Sequence, residues 1–294
     1  MTAFCSDLSR AAGEPLPGTG AHPARMLLLR WPKGSWDARI FAARGMTPAL
    51  EAALDGVRAD RRVQIVDRKG EAAGRHRLFL YPEGITQEVA TADLPAVVAS
   101  VAEGDLAGWA PAPRPVMLVC THGVKDRCCA RHGFTAYRDM ARSAKDVDVW
   151  ESTHLGGCRL AASALSLPAM YKYGRLRAGD ADGLLAAERD GRPWRPRWRG
   201  PTHLPPEAQA VAVAAAEWAA EADETTQGDP QRGSNAWTVR LASGGHLVAR
   251  TSPRHHARPS TCDDLDAGKA GEGISWQVTL TRANDPAGGG AGRP

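Results

Sequence analysis

The sequence predicts an α/β fold in which the same order of elements, β-α-β-β-α, occurs twice in succession. Short apolar runs of strand length alternate with stretches of helical periodicity, and the order recurs after about 85–90 residues. The chain has 294 residues, of which 43% are hydrophobic. It is therefore long enough to form more than one hydrophobic core.

The first predicted unit begins at residues 26–31, an apolar run with the length and composition of a buried strand. Residues 47–57 repeat apolar side chains at helical spacing and are predicted to form a helix. Residues 63–67 and 76–81 then read as strands, and residues 94–103 as a second helix.

The second predicted unit repeats this order. Its strands are expected at residues 116–120, 147–150, 164–167 and 170–176, and its helices at residues 135–143 and 180–189. We place the two units at residues 23–110 and 111–192 and expect tandem α/β sandwiches of the thioredoxin type, each with a mixed sheet and flanking helices. Only the second unit contains cysteines.

Three further segments complete the predicted organisation. Residues 1–22 are rich in glycine, proline and alanine without a clear period, so we expect a flexible N-terminal lead. Residues 193–284 begin as a connector rich in arginine, tryptophan and proline, and a predicted helix at residues 206–222 and three short strands make them a small α+β extension. Residues 285–294 are expected to be a disordered tail.

Charge and hydropathy narrow the possible partners. The formal net charge is only +4, whereas nucleic-acid-binding proteins concentrate far more positive charge on one face, so no nucleic-acid partner is expected. No export signal and no apolar run of membrane-spanning length is recognised, so we expect a soluble cytoplasmic protein without a membrane partner. Six clustered cysteines in such a chain favour reduced thiols or metal ligands over disulfides.

Cysteines and one histidine form two short clusters in the second unit. Cys120 ends a predicted strand and Cys129 precedes a predicted helix, while His154 and Cys158 are four residues apart with two glycines between them. Thiolates combined with one imidazole suit an iron-sulfur cluster or a zinc ion. The adjacent Cys128 and Cys129 could form only a strained local disulfide, so one of them is expected to be a spare, with Cys128 as a substitute ligand.

Other interpretations of these residues remain open. Buried cysteines can be small apolar fillers, and three thiolates with one imidazole fit tetrahedral zinc equally well. A dithiol oxidoreductase is disfavoured because no C-x-x-C lies at the turn from strand to helix. His122 and His132 could replace a ligand or hydrogen-bond to one. Cys5 and Cys262 are distant along the chain and are expected to take no part.

Several motifs resemble those of a known family. They are Cys120-Thr-His-Gly, Asp126-x-Cys-Cys129, Trp150-Glu-x-x-His154, and Leu167-Pro followed by Tyr173-Gly-Arg175. Over roughly residues 27–192 the chain resembles the sucrase/ferredoxin-like family, whose members look like thioredoxin-like ferredoxins with a [2Fe-2S] cluster. The resemblance implies Cys120, Cys129 and His154 as ligands.

The last ligand position departs from the family pattern. The family has a second histidine there, and this chain has Cys158. The resemblance therefore implies a [2Fe-2S] cluster held by three cysteines and one histidine, in a protein that exchanges electrons with a redox partner protein or senses redox state. No catalytic residues are identified, and no paired carboxylates suit glycoside hydrolysis, so an electron carrier is expected rather than a self-contained enzyme. The alternative is a zinc-stabilised binding module.

Overall fold

The computed structural model describes residues 3–283 of the chain. Its helices are α1 (Cys5–Ala11), α2 (Pro48–Val57), α3 (Leu94–Glu103), α4 (Phe134–Ser143), α5 (Ala181–Arg189), α6 (Pro206–Glu221) and α7 (Cys262–Asp266). None of these described helices is both long and apolar enough to cross a membrane. The predicted tail at residues 285–294 lies outside the described residues.

Fourteen strands form two sheets among the described residues. The strands of the large sheet are β1 (Met26–Arg30), β2 (Arg62–Asp67), β3 (Arg75–Tyr81), β4 (Ile85–Ala90), β5 (Ala110–Pro111), β6 (Val116–Cys120), β7 (Asp148–Ser152), β8 (Ala164–Leu167), β9 (Tyr171–Tyr173) and β10 (Trp198–Pro201). Their spatial order is β10-β9-β8-β6-β7-β2-β1-β3-β4-β5. The smaller sheet has the order β11-β12-β13-β14 and comprises β11 (Thr226–Arg232), β12 (Trp237–Leu241), β13 (His246–Arg258) and β14 (Gly271–Ala283).

The large sheet contains one topology twice. The first unit has the order β2-β1-β3-β4 and the second has β7-β6-β8-β9. In each unit the first two strands pair in parallel and the remaining pairs are antiparallel. The predicted fold class, tandem mixed α/β units with flanking helices and an α+β extension, is confirmed.

Strand β4 was not predicted, although it follows β3 directly. Its sequence, Ile-Thr-Gln-Glu-Val-Ala, buries only Val89 fully, so it gives neither an apolar run nor a regular alternation. Strand β11, Thr-Gln-Gly-Asp-Pro-Gln-Arg, is polar along most of its length and was missed for the same reason. Strands of this kind are stabilised by their neighbours in the sheet rather than by a local pattern.

The two units share a core as well as a sheet. Strand β2 pairs with β7 in antiparallel fashion through Val66 and Ser152. Alternate residues of β1 point into different cores: Leu27 and Leu29 pack under α2 and α3, whereas Met26 and Leu28 join a core that also contains residues of the second unit. Because both faces of β1 are covered, all five of its residues are buried.

The N-terminal segment differs from the predicted flexible lead over residues 3–22. Residues 5–11 form α1, and Glu14 beyond it is only 1% exposed. Its carboxylate accepts a hydrogen bond from Arg159 in the second unit and pairs with Arg258 of the extension. No local pattern indicates this packing, because the segment is anchored by an ion-pair network rather than by an apolar stripe.

Candidate metal centre

Parallel pairing of β6 and β7 brings the two cysteine-containing clusters to one edge of the sheet. Cys120, the last residue of β6, is the register partner of Ser152, the last residue of β7. Since parallel strands end at the same side, the loop after Cys120 and the loop that carries His154 face each other. The two clusters that the sequence separates by a helix and a strand therefore meet in space.

Cys129 reaches this edge because the chain passes very close to the end of β6. It begins a π-helical turn, Cys129–Gly133, which leads into α4. A β-carbon added at Gly133 would lie 1.9 Å from the carbonyl oxygen of Cys120, which no side chain can tolerate. Glycine at 133 thus permits the turn to pack against the strand end and holds Cys129 beside Cys120.

Cys158 returns to His154 through a tight turn with two left-handed glycines. Gly156 and Gly157 have φ angles of 91° and 79°. The turn places Sγ of Cys158 3.4 Å from Nδ1 of His154 and 3.8 Å from Sγ of Cys129. One ligand atom each from Cys120, Cys129 and His154 also lies within 4.8 Å of the other two. Cys158 therefore joins the other three predicted ligands through Cys129 and His154, and a carboxylate oxygen of Asp126 also lies within 4.8 Å of the sulfurs of Cys129 and Cys158.

Hydrogen bonds among the four donors shift the pKa values of the three thiols in opposite directions. Hydrogen bonds from Cys129 and from His154 lower the pKa of Cys120 and of Cys158. The hydrogen bonds with Cys120 and Cys158 raise the pKa of Cys129 instead. Burial lowers the pKa of His154, but hydrogen bonds and charge at Cys120 and Cys158 outweigh it and raise the pKa to about 9. These shifts favour ionisation of Cys120 and Cys158 and favour the protonated forms of Cys129 and His154.

Three largely buried basic side chains, Arg62, Lys172 and Arg199, lie at the loop between His154 and Cys158. Lys172 and Arg199 are each 3% exposed, and burial lowers the pKa of both, that of Arg199 to about 9. Within residues 3–283, neither they nor Arg62 forms an ion pair with a carboxylate. A buried charge without an oppositely charged partner lowers the stability of the folded protein. A divalent ion with three thiolates would carry one net negative charge, so these cations fit a site that is anionic when it is loaded.

Two contacts hold the His154 backbone and connect it to the first unit, directly through Arg62 and indirectly through His122. Nη2 of Arg62 donates to the carbonyl oxygen of His154 at 2.8 Å. The backbone N–H of His154 donates to Nδ1 of His122 at 3.2 Å, and Nε2 of His122 donates to the carbonyl oxygen of Asp37 at 2.6 Å. Both ring nitrogens of His122 are thus engaged. Of the two roles expected for His122, ligand or hydrogen-bonding neighbour, the geometry matches the second.

Among the four donors, His154 is the most exposed to solvent in the described residues. Cys120, Cys129 and Cys158 are 2 to 3% exposed, whereas His154 is partly exposed. A cofactor held here would be shielded from water where the thiols bind it and would be accessible to solvent at the imidazole. Proton exchange with water would therefore occur at His154.

A second thiol cluster was missed in the sequence. The side chain of Cys128 points away from Cys129 and meets Cys5 and Cys262, with Sγ–Sγ distances of 3.5 and 3.2 Å. Cys5 and Cys262, which were expected to take no part in the four-donor site, therefore share another buried position with Cys128, and the role of Cys128 as a spare or substitute ligand stays a prediction. The adjacent pair Cys128-Cys129 was the sequence signal for two separate thiol clusters, because the side chains of neighbouring residues point in different directions.

Comparison with known proteins shows to which family the chain belongs. Two solved structures of a thioredoxin-like [2Fe-2S] ferredoxin from Aquifex aeolicus are similar to part of it. One is 14% identical with a TM-score of 0.26 and covers 29% of this chain and 95% of that chain, and the other is 14% identical with a TM-score of 0.28 and covers 31% and 96%. No curated protein matches the chain. A family model described as sucrase/ferredoxin-like matches residues 16–200, more than half of the sequence. The chain belongs to the sucrase/ferredoxin-like family.

Proposed function

We propose that the protein is an iron-sulfur electron-transfer or redox-sensing protein whose [2Fe-2S] cluster is held by Cys120, Cys129, Cys158 and His154. The observation that carries this proposal is the meeting of three thiols and one imidazole at one edge of the sheet. Few cofactors other than iron-sulfur clusters and zinc take that set of donors. Membership of a ferredoxin-like family adds independent support.

The surroundings favour uptake of an electron. Bound at these residues, the cluster would supply a one-electron redox couple. A neutral imidazole makes the site one unit less negative than four thiolates would, and the charges of Arg62 and Arg199, which donate to the backbone of the loop between His154 and Cys158, act in the same direction. Both effects lower the cost of adding a negative charge. The burial of the three thiols excludes water, so the cations are screened little.

His154 connects this site to the surface. It is partly exposed, and its backbone is fixed by Arg62 and His122 of the large sheet. A ligand imidazole that meets solvent can exchange a proton at its second ring nitrogen, which couples proton binding to electron uptake. We therefore expect a reduction potential that falls as pH rises, and we expect redox partner proteins to approach at this edge.

Zinc is the second candidate, and a specific observation favours it. A tetrahedral ion with metal–sulfur bonds near 2.3 Å has edges of about 3.8 Å between two sulfurs and about 3.6 Å between sulfur and nitrogen. The contacts of Cys158 with Cys129 and His154, 3.8 and 3.4 Å, are close to these values. In that case the protein is a zinc-stabilised binding module without redox activity.

Metal analysis of the full chain separates the two candidates. Protein purified without oxygen should be brown-red, bleach on reduction, and contain about two iron and two sulfide per chain. Cys129→Ala should lose the iron and the colour, because it removes a central donor. Cys128→Ala is the matched control, since its thiol faces the other cluster, and it should retain both.

Two results would contradict the iron-sulfur proposal. Colourless wild-type protein whose zinc content falls in Cys129→Ala would establish the zinc site instead. Equal loss of iron in Cys129→Ala and Cys128→Ala would show that the ligand assignment around residues 128 and 129 is wrong.

Replacement of the imidazole tests the fourth ligand. His154→Cys should retain the cluster, lower its reduction potential and flatten the pH dependence, because a thiolate adds negative charge and removes the titrating nitrogen. Redox titration at several pH values measures both effects. A variant with the wild-type potential at every pH would mean that His154 is not a ligand.

A further inference from the structure

Three cysteines that are distant in sequence converge at a second buried position. Cys5 lies in α1, Cys128 in the loop before α4, and Cys262 at the start of α7. Their sulfur atoms are 3.5, 3.2 and 3.7 Å apart, and each residue is at most 1% exposed. We propose that these three thiols and the carboxylate of Asp126 bind one zinc ion, at a site next to the proposed iron-sulfur centre, whose Cys129 and Cys158 also lie within 4.8 Å of Asp126.

The spacing of the sulfurs suits one ion. Around tetrahedral zinc, neighbouring thiolate sulfurs are about 3.8 Å apart. The three distances here fall slightly below that value, so a small outward movement of the thiols admits an ion at their common centre. Closed, fully buried sites rich in cysteine are typical of structural zinc. Each thiol would release its proton on binding.

Asp126 completes the set of donors. Its carboxylate is 3% exposed and lies within 4.8 Å of all three sulfurs. Oδ1 accepts the backbone N–H of Cys128 at 2.8 Å, and Oδ2 accepts that of Cys262 at 2.9 Å. These bonds fix the orientation of two ligand-bearing segments, and each oxygen retains a lone pair for the ion.

Two arginines offset the negative charge of such a site. Arg10 interacts electrostatically with Cys128, and Arg127 with Cys262 and Asp126. Arg127 also forms an ion pair with Asp266 of α7 and donates to the carbonyl oxygen of Ala3 at 3.0 Å. Its contacts thus join the same three chain segments as the cysteines do. The zinc ion would fasten α1 and the C-terminal extension to the cluster-bearing unit.

A disulfide accounts for the residues less well. All six cysteines of the chain are free thiols in the structure. A disulfide uses two sulfurs and would leave the third thiol and a buried carboxylate without a role. Zinc uses all four groups and explains why they converge from segments separated by 123 and 134 residues.

Metal stoichiometry of the full chain and its variants tests this site. Wild-type protein should retain about one zinc per chain, and Cys262→Ala should retain less than roughly a tenth, with iron, sulfide and visible absorption unchanged. Ser6→Ala is the matched control. Its hydroxyl lies 3.3 Å from Sγ of Cys128 but is not a proposed ligand, so this variant should keep its zinc.

The outcomes are distinguishable from those of the iron-sulfur proposal. Cys129→Ala should keep this zinc whether or not it loses iron, because its thiol belongs to the other cluster. Wild-type protein without zinc, or with zinc that Cys129→Ala removes and Cys262→Ala does not, would overturn the inference. If Cys262→Ala does not fold, thiol alkylation of denatured, unreduced wild-type protein decides: six free thiols after chelation support the zinc site, and four would identify a disulfide instead.

Discussion

The two units of the large sheet have different kinds of residue at the same position, the end of the first strand of each unit. Arg30 ends β1 and Cys120 ends β6, and each is the register partner of a residue near the end of its parallel neighbour, Val66 and Ser152. In the first unit Nε of Arg30 pairs with Asp67 at 3.0 Å. In the second unit the equivalent position is a thiol beside three other donors.

The shared topology of the two units therefore does not require a cysteine at this strand end. An ion pair closes the strand end in one unit, and a cluster of thiols closes it in the other, on the same topology. The first unit is nevertheless part of the centre, because Arg62 and His122 connect the loop of His154 to it. Duplication followed by specialisation of one copy fits this arrangement.

The largest expected effect comes from closing the space at Gly133. Gly133→Ala should reduce cluster content at least about tenfold, because the new β-carbon would overlap the Cys120 carbonyl and displace Cys129. Gly34→Ala, in the corresponding connection of the first unit, has nothing within 4 Å of its β-carbon and should leave the content unchanged. Iron and sulfide quantification measures both. Equal cluster content in the two variants would break the comparison between the units.

Removing the ion pair of the first unit should affect stability rather than the cofactor. Arg30→Met leaves the largely buried Asp67 without its cation, which costs about 3 kcal/mol of unfolding free energy. Arg25→Met removes a much more exposed pair with Asp60 and should cost less than about 1 kcal/mol. Denaturant unfolding gives both values. Loss of the cluster in folded Arg30→Met would mean that the two strand ends are not independent.

The smallest expected effect concerns Glu14 of the N-terminal segment, which packs against the second unit through Arg159. Burial opposes ionisation of Glu14, but Ser9, Arg159 and Arg258 outweigh it and lower its pKa. A lowered pKa contributes stability above the ordinary value of 4.5, and this contribution disappears as pH falls through the native pKa. Glu14→Gln should therefore cost about 2 kcal/mol at neutral pH and progressively less in acid.

Unfolding measured across pH checks this prediction. The exposed Asp7→Asn, which removes a surface pair with Arg10, is the control and should be nearly neutral throughout. A constant difference between wild type and Glu14→Gln from neutral pH into acid would show that the carboxylate is not held ionised by its partners.

The sequence predicted those parts of the fold that carry a local pattern. Apolar runs identified β1 and β6, and helical spacing identified α2 and α6. Polar strands such as β4 escaped, since their stability comes from pairing within the sheet. The packed N-terminal segment escaped as well, because Glu14 is held by residues far away along the chain.

In the candidate site, too, the features with a local sequence pattern were predictable and those that depend on distant residues were not. Cys120, Cys129, His154 and Cys158 stand near the ends of predictable elements, so their convergence could be expected from the topology. Cys5 and Cys262 reach Cys128 across 123 and 134 residues, and no local spacing encodes such contacts. The buried cations could not be foreseen either, because burial of a lysine or arginine is a property of the folded chain alone.

The antiparallel seam between β2 and β7 limits how the protein can be divided. A fragment of residues 111–192 would keep all four donors, yet its strand β7 would become an open edge. The ring of Trp150, which packs edge-on against Phe79 at 5.6 Å, would face water. Open edges beside bare aromatic surface promote aggregation. A shortened protein made of the second unit alone therefore needs a redesigned β7 edge. Without such redesign, the protein requires the strands of both units in one sheet.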